Sequence, residues 1–270
     1  MNEIEPLLLS TTRISTFDGD RVLTAGTGFF FQREDRLYLV TSRHVLHDPG
    51  PGHVPDRISF AVHTSADDLR RTATCTLMLY VQGKSQWVEA SDSGGRIDVA
   101  AIQLPAGTLP PDAIVHAFTP EHIEVDHDAV RVGCPILLVG FPLGFYDVTH
   151  QLPIVRRGSI ASAFGVRFQG QGFFLTDARM HRGASGAPVL LQRTDGGGAL
   201  DWTLLGVHSA RMDMATRDTV QDDLLGLNCA WYADILDTLT RPPKPAEARS
   251  GANATRPPDA GAAQPPAPAR

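Results

Sequence analysis

The sequence predicts an all-β protein of two barrels with a short C-terminal helix. Three observations carry that prediction. Short runs rich in Val, Ile, Thr, Phe and Leu recur along most of the chain, turn residues separate them, and helical periodicity is nearly absent before residue 231. Many short strands at close spacing are the pattern of a barrel or sandwich.

Taken in order, the first set of runs covers 11–16, 22–24, 28–32, 37–41, 58–63, 72–81, 86–90 and 99–104. Asp18-Gly19-Asp20 and the stretch His47-Asp48-Pro49-Gly50-Pro51-Gly52 punctuate them, as turn chemistry requires. Residues 1–105 are therefore expected to form an N-terminal barrel. Residues 106–130, rich in Pro, Asp and His and without sustained periodicity, read as the connection. The second set covers 135–139, 152–156, 159–163, 172–176, 188–191, 202–207 and 225–230, giving a C-terminal barrel over 131–240. Ile235, Leu236 and Leu239 fall at helix-like intervals and predict the closing helix within 231–240. From residue 241 onward eight prolines fall in thirty residues with few large apolar side chains. Such a tail cannot bury enough surface to offset its ordering entropy and is expected to be disordered.

Composition excludes several functions. A net charge of −6 with no basic stretch argues against nucleic acid as the partner. The three cysteines, Cys75, Cys134 and Cys229, are widely spaced and fit no zinc or CxxC pattern, so they read as free thiols in a reducing compartment. The first residues hold two acids and no basic region ahead of the short Leu7-Leu8-Leu9 run, which predicts a cytoplasmic protein with no membrane partner. No cofactor or metal is implied. His44 and His47 lack a third ligand in any matching motif, and Glu121-His122-Ile123-Glu124-Val125-Asp126-His127-Asp128 reads as an exposed strand or loop.

The chemistry is concentrated in Gly183-Ala184-Ser185-Gly186-Ala187-Pro188, just ahead of an apolar strand. Glycine at 183 removes the Cβ that would crowd an incoming carbonyl, so the N–H groups of Gly183 and Ser185 can converge on one oxyanion. A serine hydroxyl needs an imidazole base, and the base needs a carboxylate to fix its tautomer. His44 closes the apolar run Leu37–Thr41 through a small polar pair and Arg43, and Asp98 stands at the mouth of the strand-like 99–104. Asp92 is a rival orienter, but it lies in the turn Ser91-Asp92-Ser93-Gly94-Gly95.

The order His44, Asp98, Ser185 resembles that of chymotrypsin-like serine proteases, and the finer resemblance is to the bacterial trypsin-like branch that includes the high-temperature-requirement proteases. Thr24-Ala25-Gly26-Thr27-Gly28-Phe29-Phe30, Val139-Gly140-Phe141-Pro142-Leu143-Gly144, Arg157-Gly158-Ser159-Ile160-Ala161-Ser162, Thr176-Asp177-Ala178 and Leu204-Leu205-Gly206-Val207-His208-Ser209 carry it, in the family's order, over about residues 22–235. The resemblance implies two six-stranded antiparallel β-barrels and a serine endopeptidase acting on protein or peptide substrates through an acyl-enzyme. It implies a substrate-binding strand with His208, Ser209 and Ala210, and a hydroxyl contact from Ser209 to Asp98. His208 matches a pocket histidine of glutamyl endopeptidases and picornaviral main proteases, which implies Glu or Gln at P1. Here, however, Met180 stands where a threonine would assist, and Ser209-Ala210-Arg211 replaces a glycine-rich continuation. The I-V-G-G activation sequence of the digestive enzymes is absent, which suggests a preformed site or one ordered by a regulatory protein. The competing expectation is a dormant protease-fold binding module. An α/β-hydrolase is excluded, because Ala187 breaks G-x-S-x-G and the helices are missing.

Overall fold

A computed structural model describes residues 4–193, 200–212 and 225–242. The expected disordered tail falls almost wholly outside these residues. Fifteen strands and two short helices are defined among them, with four 3-10 turns. In chain order the first strands are β1 (Thr11–Asp18), β2 (Arg21–Arg33) and β3 (Arg36–Thr41), followed by α1 (Arg43–Leu46). Next come β4 (Arg57–His63), β5 (Thr72–Met78), β6 (Tyr80–Val81), β7 (Lys84–Ser85), β8 (Val88–Asp92) and β9 (Gly95–Gln103). The second half holds β10 (Pro135–Gly140), β11 (Ile154–Ser159), β12 (Phe173–Thr176), β13 (Pro188–Gln192), β14 (Trp202–Arg211), β15 (Asn228–Tyr232) and α2 (Ile235–Thr240).

The strands form two curled antiparallel sheets of the chymotrypsin-like type. The first has the order β5-β4-β1-β2-β3-β9-β8 and the second β11-β10-β13-β14-β15-β12. The second sheet has the expected six strands. The first has seven, because the hairpins β4–β5 and β8–β9 flank both sides of the β1-β2-β3 meander. Backbone bonds bring the sheet ends together. Gln86 N–H donates to Leu79 O at 2.9 Å, linking the approach to β8 with the end of β5. In the second sheet, Ile160 bridges to Thr176 and Ala161 N–H donates to Leu175 O at 2.8 Å.

Some element boundaries differ from expectation for identifiable reasons. The runs 22–24 and 28–32 are one thirteen-residue strand. Glycines 26 and 28 interrupt the pattern without ending the strand: a Cβ on Gly26 would meet the Val45 methyls at 2.9 Å, and one on Gly28 would meet Ile14 at 2.6 Å. The runs 152–156 and 159–163 reduce to β11 and two isolated bridges, Leu152 to Asp147 and Ile160 to Thr176. The connection 106–130 lies along the first sheet: Gln32 N–H donates to Phe118 O at 2.7 Å and Phe118 N–H to Phe30 O at 2.9 Å. Phe118 is fully buried. The acidic run 121–128 begins as a 3-10 turn, Pro120–Ile123, with a reciprocal Thr119–His122 cap.

Period-two alternation sorts β2 between two cores. Phe30 points into the first barrel beside Ile14, Leu39, Ile58 and Phe60. Phe29 and Phe31 point the other way, into the interface with the second sheet, where they join Phe118, Val139, Leu190, Leu204 and Trp231. Each such side chain contributes about 2–3 kcal/mol by burial. The second barrel is filled by Ile136, Leu138, Phe174, Val189 and Leu205. The three cysteines are free; Cys75 is buried, and Cys134 and Cys229 are partly so. No described helix is long and apolar enough to cross a membrane.

Candidate functional site

The candidate site lies where the two sheets meet. Antiparallel pairing of Thr41 with Ala100 aligns the end of β3 with the middle of β9, two residues beyond Asp98. The chain leaving β3 turns through buried Ser42 into the single turn α1, and this carries His44 over Asp98. One carboxylate grips the residue at two points: His44 N–H donates to Asp98 Oδ1 at 2.8 Å, and His44 Nδ1 lies 2.6 Å from Oδ2. Backbone and ring held by one group leave the imidazole little freedom, with Nε2 as its remaining nitrogen.

Asp98 receives a third bond from the second sheet. Ser209 Oγ on β14 donates to Oδ2 at 2.5 Å. Burial would raise the Asp98 carboxyl, but hydrogen bonds from His44 and Ser209, with the His44 charge, outweigh it and hold the group below the usual carboxylate range. Asp98 is thus an ionised acceptor. Asp92 lies elsewhere: it pairs with Arg167 and accepts the Gly94 N–H at 2.7 Å.

The serine turn is fastened to this base from several sides. Gly186 N–H donates to His208 O at 2.7 Å, and Ser42 Oγ donates to the same carbonyl at 3.1 Å. Thr27 N–H donates to Ser185 O at 2.9 Å, while Thr27 Oγ1 donates to Gly183 O at 2.8 Å and accepts Phe141 N–H at 3.1 Å. Gly183 has φ +89 and Gly186 φ +92, both in the left-handed region that favours glycine. A Cβ at Gly183 would also meet Phe141 O at 2.6 Å. Among the described residues, the N–H groups of Gly183 and Ser185 donate to no other group, which leaves both for an oxyanion. No hydrogen bond joins Ser185 Oγ to His44 among them; in unliganded sites that bond is often long and tightens with substrate.

The three residues expected to meet substrate have different surroundings. His208 is 2 % exposed, with a buried Nδ1 that has no hydrogen-bond partner. Burial, reinforced by the His44 charge and only partly offset by Asp98, pushes its imidazole down to about 3. It is therefore neutral at ordinary pH. Ser209 is buried and directs its hydroxyl to Asp98, and Ala210 is exposed. Met180 is buried, Arg179 and Arg182 are exposed, and the Arg211 side chain lies outside the described residues.

His47 is half-buried against Trp87 and within 3.1 Å of the Tyr80 hydroxyl. Among the described residues, no group of three or more His, Cys, Asp or Glu is placed to hold a metal ion. The sequence reading overlooked Thr27 and Ser42 as site-building residues. The available signal was a small polar residue between two glycines, and another just before the histidine.

A family model described as the trypsin-like peptidase domain matches residues 26–196. Among solved structures, the HtrA-type protease AlgW, in a serine-to-alanine form with a tripeptide, aligns with a TM-score of 0.53 at 18% identity. That alignment covers 88% of this chain and 61% of the other. The serine endoprotease from Yersinia pestis aligns with a TM-score of 0.49 at 18% identity, over 86% and 62% of the respective chains. The chain thus spans about three fifths of the length of these structures, and the likeness to AlgW is one of fold. No curated protein matches it by sequence.

Proposed function

The chain belongs to the trypsin-like peptidase domain family, and from that membership we propose a serine endopeptidase whose triad is Ser185, His44 and Asp98. The observation that carries the reading is the double grip of Asp98 on His44, at 2.8 and 2.6 Å, beside a serine turn tied through His208 O to the Ser42 lead-in. In this reading His44 Nε2 takes the Ser185 proton as Oγ attacks the scissile carbonyl. The N–H groups of Gly183 and Ser185 receive the oxyanion. His44 then passes the proton to the leaving amine, and water, activated by the same base, releases the acyl group. Asp98 stays ionised throughout, in keeping with its depressed pKa. Removing an oxyanion donor or the orienting carboxylate from such a site costs roughly 10²–10⁴ in rate.

For specificity we propose Glu or Gln at P1. Support comes from His208, whose neutral imidazole is buried and whose Nδ1 has no hydrogen-bond partner. A neutral imidazole can donate one hydrogen bond to a carboxylate or carboxamide. Cleavage of protein substrates offering Glu, Gln, Arg, Leu and Ala at P1 tests this, and a preference for Arg or Leu ends it.

The second reading is a dormant protease-fold binding module or scaffold that a regulatory partner activates; a long Ser185–His44 separation is compatible with both readings. Fluorophosphonate treatment followed by intact-mass analysis tests the main reading. A single adduct on wild type, absent from Ser185→Ala, is expected. Folded wild type that takes no adduct overturns endopeptidase activity of the isolated chain and leaves the dormant reading.

A further inference from the structure

Arg43, immediately before His44, has a side chain only 13% exposed. Its NH1 group donates to His47 O at 2.8 Å, tying the guanidinium to the end of α1. Its Nε is buried and has no hydrogen-bond partner. That nitrogen lies 4.0 Å from Asp98 Oδ1, the oxygen that accepts the His44 N–H. The separation is too long for a hydrogen bond but lies within ion-pair range, and the Asp98 side chain is only 17% exposed. Glu89, Asp48 and Arg96 act on the neighbouring His47, which burial and Arg43 push down, and none of the three forms an ion pair with Asp98 among the described residues. His208 and Cys229 carry no competing charge. His208, from β14, stays neutral because its imidazole is pushed down to about 3. Cys229, from β15, stays a thiol because burial and Asp98 push it up to about 11. Ser209 contributes a neutral hydroxyl. Among the described residues, the cations within ion-pair range of Asp98 are His44 and Arg43, and Arg43 is the permanent one.

We propose that Arg43 is a positioning residue of the catalytic site, a fixed cation behind Asp98 that keeps the His44–Asp98 pair from taking up a proton as pH falls. The inference rests on the reading of His44 and Asp98 as base and orienter. The two groups are joined by hydrogen bonds at both carboxylate oxygens. Whichever of them accepts the proton, a neighbouring positive charge opposes it, and the working form of the site persists to lower pH. The same guanidinium anchors the end of α1, so a purely structural role would lower the rate at every pH without moving the profile.

The experiment is the pH dependence of fluorophosphonate labelling of Ser185 in the full chain, for wild type, Arg43→Gln and Arg43→Lys. Glutamine removes the charge but keeps an amide able to donate to His47 O; lysine keeps the charge. The acidic limb of Arg43→Gln is expected to move to higher pH by about one unit. On that limb the variant then labels about tenfold more slowly relative to its own plateau. Arg43→Lys is expected to return towards wild type. If Arg43→Gln superimposes on wild type after scaling to the plateau, the proposal fails and the reading of the site stands. If Arg43→Gln does not fold, Arg43→Lys decides: a limb displaced as far as one unit despite the retained charge overturns the proposal. Failure of wild type to label at any pH overturns both.

Discussion

The buried imidazole of His208 makes a quantitative prediction about acid stability. In the folded chain it is pushed from 6.5 down to about 3, chiefly by burial. In the unfolded chain it titrates near its ordinary value. Between these limits the unfolded state binds a proton that the folded state refuses, so stability is intact above about 6.5 and falls as pH drops towards about 3. Each unit is worth about 1.4 kcal/mol, so the penalty at about pH 4.5 is about 2.7 kcal/mol. The perturbation that isolates it is His208→Gln, which keeps an amide donor but cannot titrate. Urea unfolding of both proteins at about pH 7.5 and about pH 4.5, followed by fluorescence of the three tryptophans, provides the comparison. Wild type is expected to lose about 2.7 kcal/mol more than the variant over that interval, or a midpoint shift of about 1 M for an m-value near 3 kcal/mol/M. Asp98 and the other carboxylates contribute to both proteins and cancel. Parallel pH dependence in the two would refute the reasoning, because it would mean that His208 takes up its proton without leaving the folded state.

Thr27→Val removes one hydroxyl that serves both Gly183 O and Phe141 N–H. Leaving two buried backbone groups unpaired is expected to cost about 2–4 kcal/mol, read as a lower melting temperature, with a slower Ser185 labelling rate as the oxyanion turn loosens. Ser209→Ala removes the 2.5 Å bond to Asp98. A hydrogen bond to a charged group contributes about 1.5–3 kcal/mol, so the labelling rate is expected to fall about tenfold or more, while near-unchanged circular dichroism shows the fold retained.

The strands were legible where apolar residues alternate, as in 58–63, and where they run on without a break, as in 37–41 and 188–191, because the first pattern takes one face out of water and the second takes both. The alternation failed at Gly26 and Gly28, where the strand continues because neighbouring side chains already fill the space a Cβ would occupy. It also failed at 106–130. Phe118 reaches the core there through pairing with β2, a long-range match that no local period records. The site residues divide in the same way. His44, Asp98 and the glycines around Ser185 stand out because their chemistry depends on residue type. Thr27, Ser42 and Arg43 matter through partners that only folding supplies: Gly183 O lies 156 residues from Thr27, and His208 O lies 166 from Ser42.

The β-rich architecture was legible from residue types alone, since short β-prone apolar runs between turn residues must bury one face or both. The sequence by itself also determined the positive-φ turn at 183–186, since glycine occupies both left-handed positions. Tertiary structure decided the electrostatics. Asp98 is held ionised because three donors from His44 and Ser209 converge on it, and His208 is neutral because β14 buries its ring at the junction of the sheets. The physical reason is that a pKa measures the environment around a group, and for these residues nearly all of that environment comes from distant parts of the chain.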